Sequence, residues 1–192
     1  MLVSGRVMGF WSNDTRQYYA GNNNWSLRAD PAFTYFFANH LGLGVALSFG
    51  WSKGGLFPSG DYRTHDLAMG GEFVWSAALA ARWRLLLRPF IGYVRQWGAT
   101  RGLEVQGEAS TFVFDVDSDS HFLRVSASLP IIYALNENIG VGLAPEYLFD
   151  VAVDSEQNPR LRGAGDQGFA FDSQFATSRM QFGLSLGLYA SF

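Results

Sequence analysis

Polar and apolar residues alternate along this chain with a period of two, the spacing that sends successive side chains to opposite faces of a β-strand. Five segments show it most cleanly. In one, Leu41, Leu43, Val45, Leu47, Phe49 and Trp51 share a face, with Gly42, Gly44, Ala46, Ser48, Gly50 and Ser52 opposite. In another, Ile139, Val141, Leu143, Pro145, Tyr147, Phe149, Val151 and Val153 alternate with Gly140, Gly142, Ala144, Glu146, Leu148, Asp150 and Ala152. Residues 25–37, 122–133 and 180–192 repeat the pattern, with Arg28, Asp30, Arg124 and Ser126 among the residues on the less apolar faces. None shows the spacing of three and four that a helix needs. Residues 3–11, 67–79 and 87–97 alternate more loosely and bring the prediction to eight strands.

The connections alternate in length. Short ones fall at residues 38–40, 81–84 and 135–138, and long polar ones at 12–24, 52–65, 98–120 and 154–178. That rhythm predicts an up-and-down meander with all its long loops at one end, the layout of barrels with tight periplasmic turns and long external loops. Strand-like patches at 111–116 and 169–175 point to strands that extend beyond the membrane and leave a ten-strand count open.

Alternation does not say which face points out, and a soluble, lipocalin-like barrel would bury the apolar one. Composition decides between them. The second face is rich in Gly, Ala and Ser with one or two charges per strand, and the chain holds a single lysine, Lys53. Water-facing strands would be crowded with charge, whereas a narrow lumen takes small residues and a few bulky polar ones. Charged residues make up only 16% of the 192 residues and aromatics another 16%, against about 25% charged in ordinary soluble proteins. No apolar run approaches the ~18 residues of a spanning helix. Lipid therefore covers the stripes in this scheme, and aromatics mark its edges. Tyr35, Phe37, Tyr133 and Phe192 fall near the lower edge and Trp11, Trp25, Trp51, Trp97 and Phe149 near the upper one, as two interfacial girdles.

In lipid every backbone N–H and C=O must be paired, so first and last strands must join. The last predicted strand ends on Phe192, which looks like the C-terminal signal read by the outer-membrane assembly machinery. The run Asp30-Pro31-Ala32-Phe33-Thr34-Tyr35-Phe36-Phe37, turning at Asn39 into Leu41-Gly42-Leu43-Gly44, resembles the small-barrel family that includes the OmpA membrane domain, OmpX and OmpW. So does Leu87-Arg88-Pro89-Phe90-Ile91-Gly92-Tyr93 after its short turn. The resemblance covers essentially the whole chain and implies one domain over residues 1–192, an all-β, eight-stranded antiparallel up-and-down transmembrane barrel in the bacterial outer membrane. It implies an architecture and no single activity. Met1 leads straight into a strand-like segment, so the expected form is a mature one without a signal peptide.

Counted upward from each short turn, Arg28, Asp30, Glu72, Arg124 and Glu146 reach one height on the lumen face, and Arg6, Arg88 and Tyr189 form a lower layer. Buried charges at one level must pair, so a cross-lumen ion-pair network plugging the barrel is expected; a gated ion path is the competing reading. Asp115, Asp117 and Asp119 could hold Ca²⁺ or bridge lipopolysaccharide phosphates through a cation, yet they lack the glycine and distal glutamate of an EF-hand, and a solvated edge of an extended hairpin, where every second residue is polar, is the better account of them. Catalysis has little to stand on. His40 falls at a short turn, and His65 and His121, with Asp66, Ser118 and Ser120 nearby in sequence, lack the His-x-Ser-Asn run of lipid-modifying barrels. No cofactor is implied, and a net charge of −3 gives no basic face for nucleic acid. Tyr18, Tyr19, Asn22, Asn23, Asn24, Phe57, Tyr62, Arg160 and Arg162 would populate the external loops, where a rigid scaffold leaves residues free to bind. The expected role is a structural, adhesive or ligand-binding membrane barrel in contact with lipid and lipopolysaccharide. A narrow channel for a small or apolar solute is the alternative, and an outer-leaflet lipid-modifying enzyme a more distant one.

Overall fold

The computed structural model describes residues 2–10, 25–55, 60–106, 111–161 and 178–191. Nine strand segments follow in order: β1 Leu2–Phe10, β2 Trp25–Ala38, β3 Leu41–Gly55, β4 Asp61–Ala80, β5 Trp83–Gln106, β6 Thr111–Ser128, β7 Ile131–Ala134, β8 Ile139–Leu161 and β9 Arg179–Ser191. Neighbours pair antiparallel all the way round, and β1 pairs with β9, so the sheet closes on itself. Closure satisfies the backbone groups that an edge strand would leave bare in hydrocarbon.

Segments β6 and β7 occupy one place in the ring, because both pair with β5 and with β8. The break falls at Leu129-Pro130, where proline has no N–H to give the ladder. Its carbonyl still accepts from Leu86 N–H at 2.9 Å, and Leu129 N–H reaches Pro145 O at 3.1 Å. The barrel therefore has eight strands, and residues 111–116 are the top of β6 rather than part of an extra hairpin. The patch at 169–175 lies outside the described residues.

The short turns stand where the spacing puts them, and the third is stiffened by Asn136, whose Oδ1 accepts from the N–H groups of Asn138 and Ile139, both at 2.8 Å. The long connections need correction. Much of residues 52–65, 98–120 and 154–178 is strand: β5 and β6 stay paired up to Gln106↔Thr111, and β8 follows β6 to Leu161. Above the belt both faces of these strands carry polar residues, so apart from the patch at 111–116 no apolar stripe reveals them and the rest reads as loop. Gly102, at φ 69°, lies within the register shift between Thr100 and Leu103, a bulge where a left-handed residue is needed.

The apolar stripes face outward. Val45 is 63% exposed, Met69 66% and Leu186 66%, while Ala68, Val74 and Val94 inside are fully buried. The lumen wall leaves some glycines no room for a side chain: a Cβ on Gly44 would stand 2.3 Å from the Phe33 carbonyl oxygen. A Cβ on Gly50 would stand 2.0 Å from Asp66 Oδ2. We expect Gly50→Ala to push Asp66 off its arginine partner and to lower the urea midpoint of unfolding, at a cost of about 1–3 kcal/mol.

Candidate functional site

Two groups of buried charges cross the lumen. In the lower one, Glu72 from β4 meets Arg88 from β5; both side chains are 1% exposed. Arg88 Nη2 donates to the two Glu72 oxygens at 2.8 and 2.6 Å, and its Nη1 donates to Ser4 Oγ of β1 at 3.1 Å. Thr34 of β2 donates its hydroxyl to Glu72 at 2.5 Å. Four strands are thus tied through one carboxylate and one guanidinium. Across the lumen Ser185 donates to Glu146 at 2.5 Å.

The upper group centres on Asp150 of β8. Arg124 of β6 grips it with two parallel bonds, Nε at 2.7 Å and Nη2 at 2.9 Å, and Arg179 of β9 donates to it at 2.8 Å. Arg124 also stands 3.7 Å from Asp66 of β4, which pairs with Arg28 of β2 at 3.3 Å. Arg179 reaches on to Gln96 Oε1 at 2.9 Å and lies 4.7 Å over the Phe122 ring. Between the groups a cavity of about 30 Å³ touches Arg28, Asp30, Ser48, Glu72 and Glu146, room on the order of one water. Pairing is what makes such burial tolerable, since each ion taken alone from water costs several kcal/mol.

The height count puts Arg28, Asp30, Glu72, Arg124 and Glu146 together, and all five are buried. All five line the same small cavity, yet their ion pairs divide them. Glu72 belongs with Arg88, assigned to a lower layer, while Arg28 and Arg124 turn to Asp66 and Asp150. Strand tilt is the reason: counting residues from a turn ignores the stagger between neighbours. Asp66, Asp150 and Arg179 escape the count, although each has the inward parity of its strand. Arg6 stands opposite Asp30 in the β1–β2 register, with its side chain outside the described residues. Tyr189 is buried below the charges, packed with Val74, Leu86 and Ile132.

Of the aromatics assigned to girdles, Tyr35, Phe37 and Trp97 are exposed on the outer wall, and Trp51, Tyr133 and Phe149 are partly covered. Trp11, Phe192 and the Trp25 side chain lie outside the described residues. Trp83, beside the second short turn, adds a ring that the sequence reading leaves out; it lies 5.0 Å from Tyr133. The Arg82 guanidinium donates to the Tyr133 hydroxyl at 3.3 Å, which raises its pKa further above the ordinary arginine value.

Above the belt the outer wall of β5 and β6 carries ion pairs. Arg95 holds Asp119 at 2.6 Å, Arg101 holds Asp117 at 2.6 Å, and Asp115 accepts from Gly102 N–H at 2.9 Å. Among the described residues no three His, Cys, Asp or Glu converge as a metal site would require. His121 bonds the Tyr93 hydroxyl and stands 3.8 Å from Asp119, while Ser120 faces the other way and bonds Ser155 at 3.0 Å. His65 stacks on Trp97, and His40 is exposed at a short turn. No described serine reaches either rim histidine. Of the loop residues, Tyr62 and Arg160 lie on the extended strands; Tyr18, Tyr19, Asn22, Asn23, Asn24, Phe57 and Arg162 lie outside the described residues.

No family profile matches the chain, and no curated protein does. Solved structures do match. The Neisserial surface protein A aligns over 100% of this chain and 96% of its own, at 13% identity and a TM-score of 0.52. A major outer membrane protein from Thermus thermophilus aligns over 100% of both chains, at 11% identity and a TM-score of 0.57. At such identities the likeness is one of fold: this chain has the fold of small outer-membrane β-barrels.

Proposed function

We propose that the chain is an integral outer-membrane protein, non-enzymatic, whose ion-paired lumen is a plug and whose external end does its work as an adhesive or ligand-binding surface. Short turns face the periplasm and extended strands the exterior, where the barrel wall meets lipopolysaccharide. The outward apolar stripe of β9, from Met180 to Leu188, is the segment the assembly machinery would recognise in this scheme.

The observation that carries the proposal is the pair of charge groups. Arg88 with Glu72 and Arg124 with Asp150 span the lumen with side chains at most 2% exposed, leaving between them a space of about 30 Å³. A rigid, closed scaffold with paired strands rising beyond the membrane is suited to presenting a surface, and binding residues concentrate on such presented segments. In planar bilayers the wild-type protein is expected to show no sustained openings, and Arg124→Ala is expected to produce small, flickering ones. Sustained wild-type conductance would favour the narrow channel instead.

A further inference from the structure

Two apolar clusters are packed among the polar groups of the lumen, Ala68, Val94 and Phe122 in the upper part and a second one at the lower end. A barrel interior is normally polar, yet below the Arg88–Glu72 group the inward side chains Phe36, Val74, Leu86, Ile132 and Tyr189 form an apolar cluster. One inward step up each strand leads back to a polar partner: Phe36 to Thr34, Val74 to Glu72, Leu86 to Arg88. The polar plug therefore rests on a packed apolar layer, with Leu86, Ile132 and Tyr189 at most 7% exposed, and the two together roof the space below. Beneath it a cavity of about 570 Å³ opens between the short turns, within the size range of small-molecule sites. Plugging does not need this chamber, since the roof already seals the barrel.

Its mouth is charged. Arg84 stands beside Ile132 in the β5–β7 register, on the inward parity of Leu86 and Arg88, and makes no ion pair among the described residues. Arg82 adds a second guanidinium, against a single carboxylate, Glu137, among the lining residues. Asn136 fixes the turn that forms the opposite rim. A blind vestibule with Phe36, Leu86, Ile132 and Tyr189 at its inner end and a net positive rim matches a molecule having one alkyl tail and an anionic head. We propose that this vestibule binds a medium-chain fatty carboxylate, tail inward against Leu86 and Ile132 and head on Arg84. The site is distinct from the external surface assigned above and lies at the opposite mouth.

The test is a titration of decanoate into the full chain in lipid nanodiscs with labelled Leu and Ile methyl groups. Outward-facing Leu87 and Ile131, next to the two reporters in sequence, register partition into the bilayer. Saturable shifts at Leu86 and Ile132 but not at Leu87 and Ile131 are expected. Arg84→Ala, at an exposed position that leaves heat-modifiable folding intact, should weaken binding about tenfold, the size of a lost charge-assisted contact. Decyl maltoside, uncharged, should bind correspondingly worse than decanoate. Shifts equal at inward and outward methyls, or binding indifferent to Arg84 or to head-group charge, would overturn the assignment.

Discussion

Glu72→Ala should destabilise the barrel by about 3–5 kcal/mol, the range for removing one partner of a buried ion pair. Glu72 takes three hydrogen bonds, two from Arg88 and one from Thr34. Arg88 has no hydrogen-bond partner for its Nε among the described residues, so losing Glu72 leaves it with Ser4 alone at the barrel centre. The penalty comes from the stranded cation more than from the lost contacts. The double variant Glu72→Leu, Arg88→Leu should accordingly recover most of the loss, since apolar residues of similar volume replace buried ion pairs at little or no cost. Urea unfolding from phospholipid vesicles measures both. A single variant as stable as wild type would show that water hydrates this level and that the lumen is not sealed there.

Val45→Arg should cost about 2–4 kcal/mol in the same assay, whereas Phe37→Arg at the lower edge should cost about 0–1 kcal/mol. Both positions point outward, at 63% and 54% exposure. In water an outward arginine would be harmless at either, so the difference between them reports hydrocarbon directly. Midway up β3 the guanidinium has no polar partner within the belt, while beside the turn at Asn39 it can reach the headgroups. Equal and negligible costs would mean that water covers the stripes.

How much of this is legible in the chain depends on the length scale of each feature. Strand parity is local, and the Leu41–Trp51 and Ile139–Val153 alternations place every residue on the correct wall. The same parity flags Asp66, Asp150 and Arg179 as inward, but they sit near the ends of the predicted strands beside the long connections, where parity alone does not tell a lumen residue from a loop residue. The extended hairpin of β5 and β6 is only partly legible: the patch at 111–116 marks its upper end, but with Arg95, Arg101, Asp117 and Asp119 on the outer face the stretch below it has no apolar stripe.

Ion-pair partners are out of reach of any such count. Glu72 finds Arg88 across a β4–β5 register in which Glu72 lies opposite Phe90, so the carboxylate leans along the strand to meet it. The apolar layer at the lower end is hidden too, because Phe36, Leu86, Ile132 and Tyr189 are scattered over the chain and meet only when the ring closes.

The sequence by itself determined the strands, their order of connection, their two faces and the medium each face meets, because all of these follow from a two-residue period and from the free energy of single side chains. The tertiary structure alone decided which charges pair and where the lumen turns from polar to apolar, because those depend on the stagger between strands, a property of the closed barrel that no one strand carries.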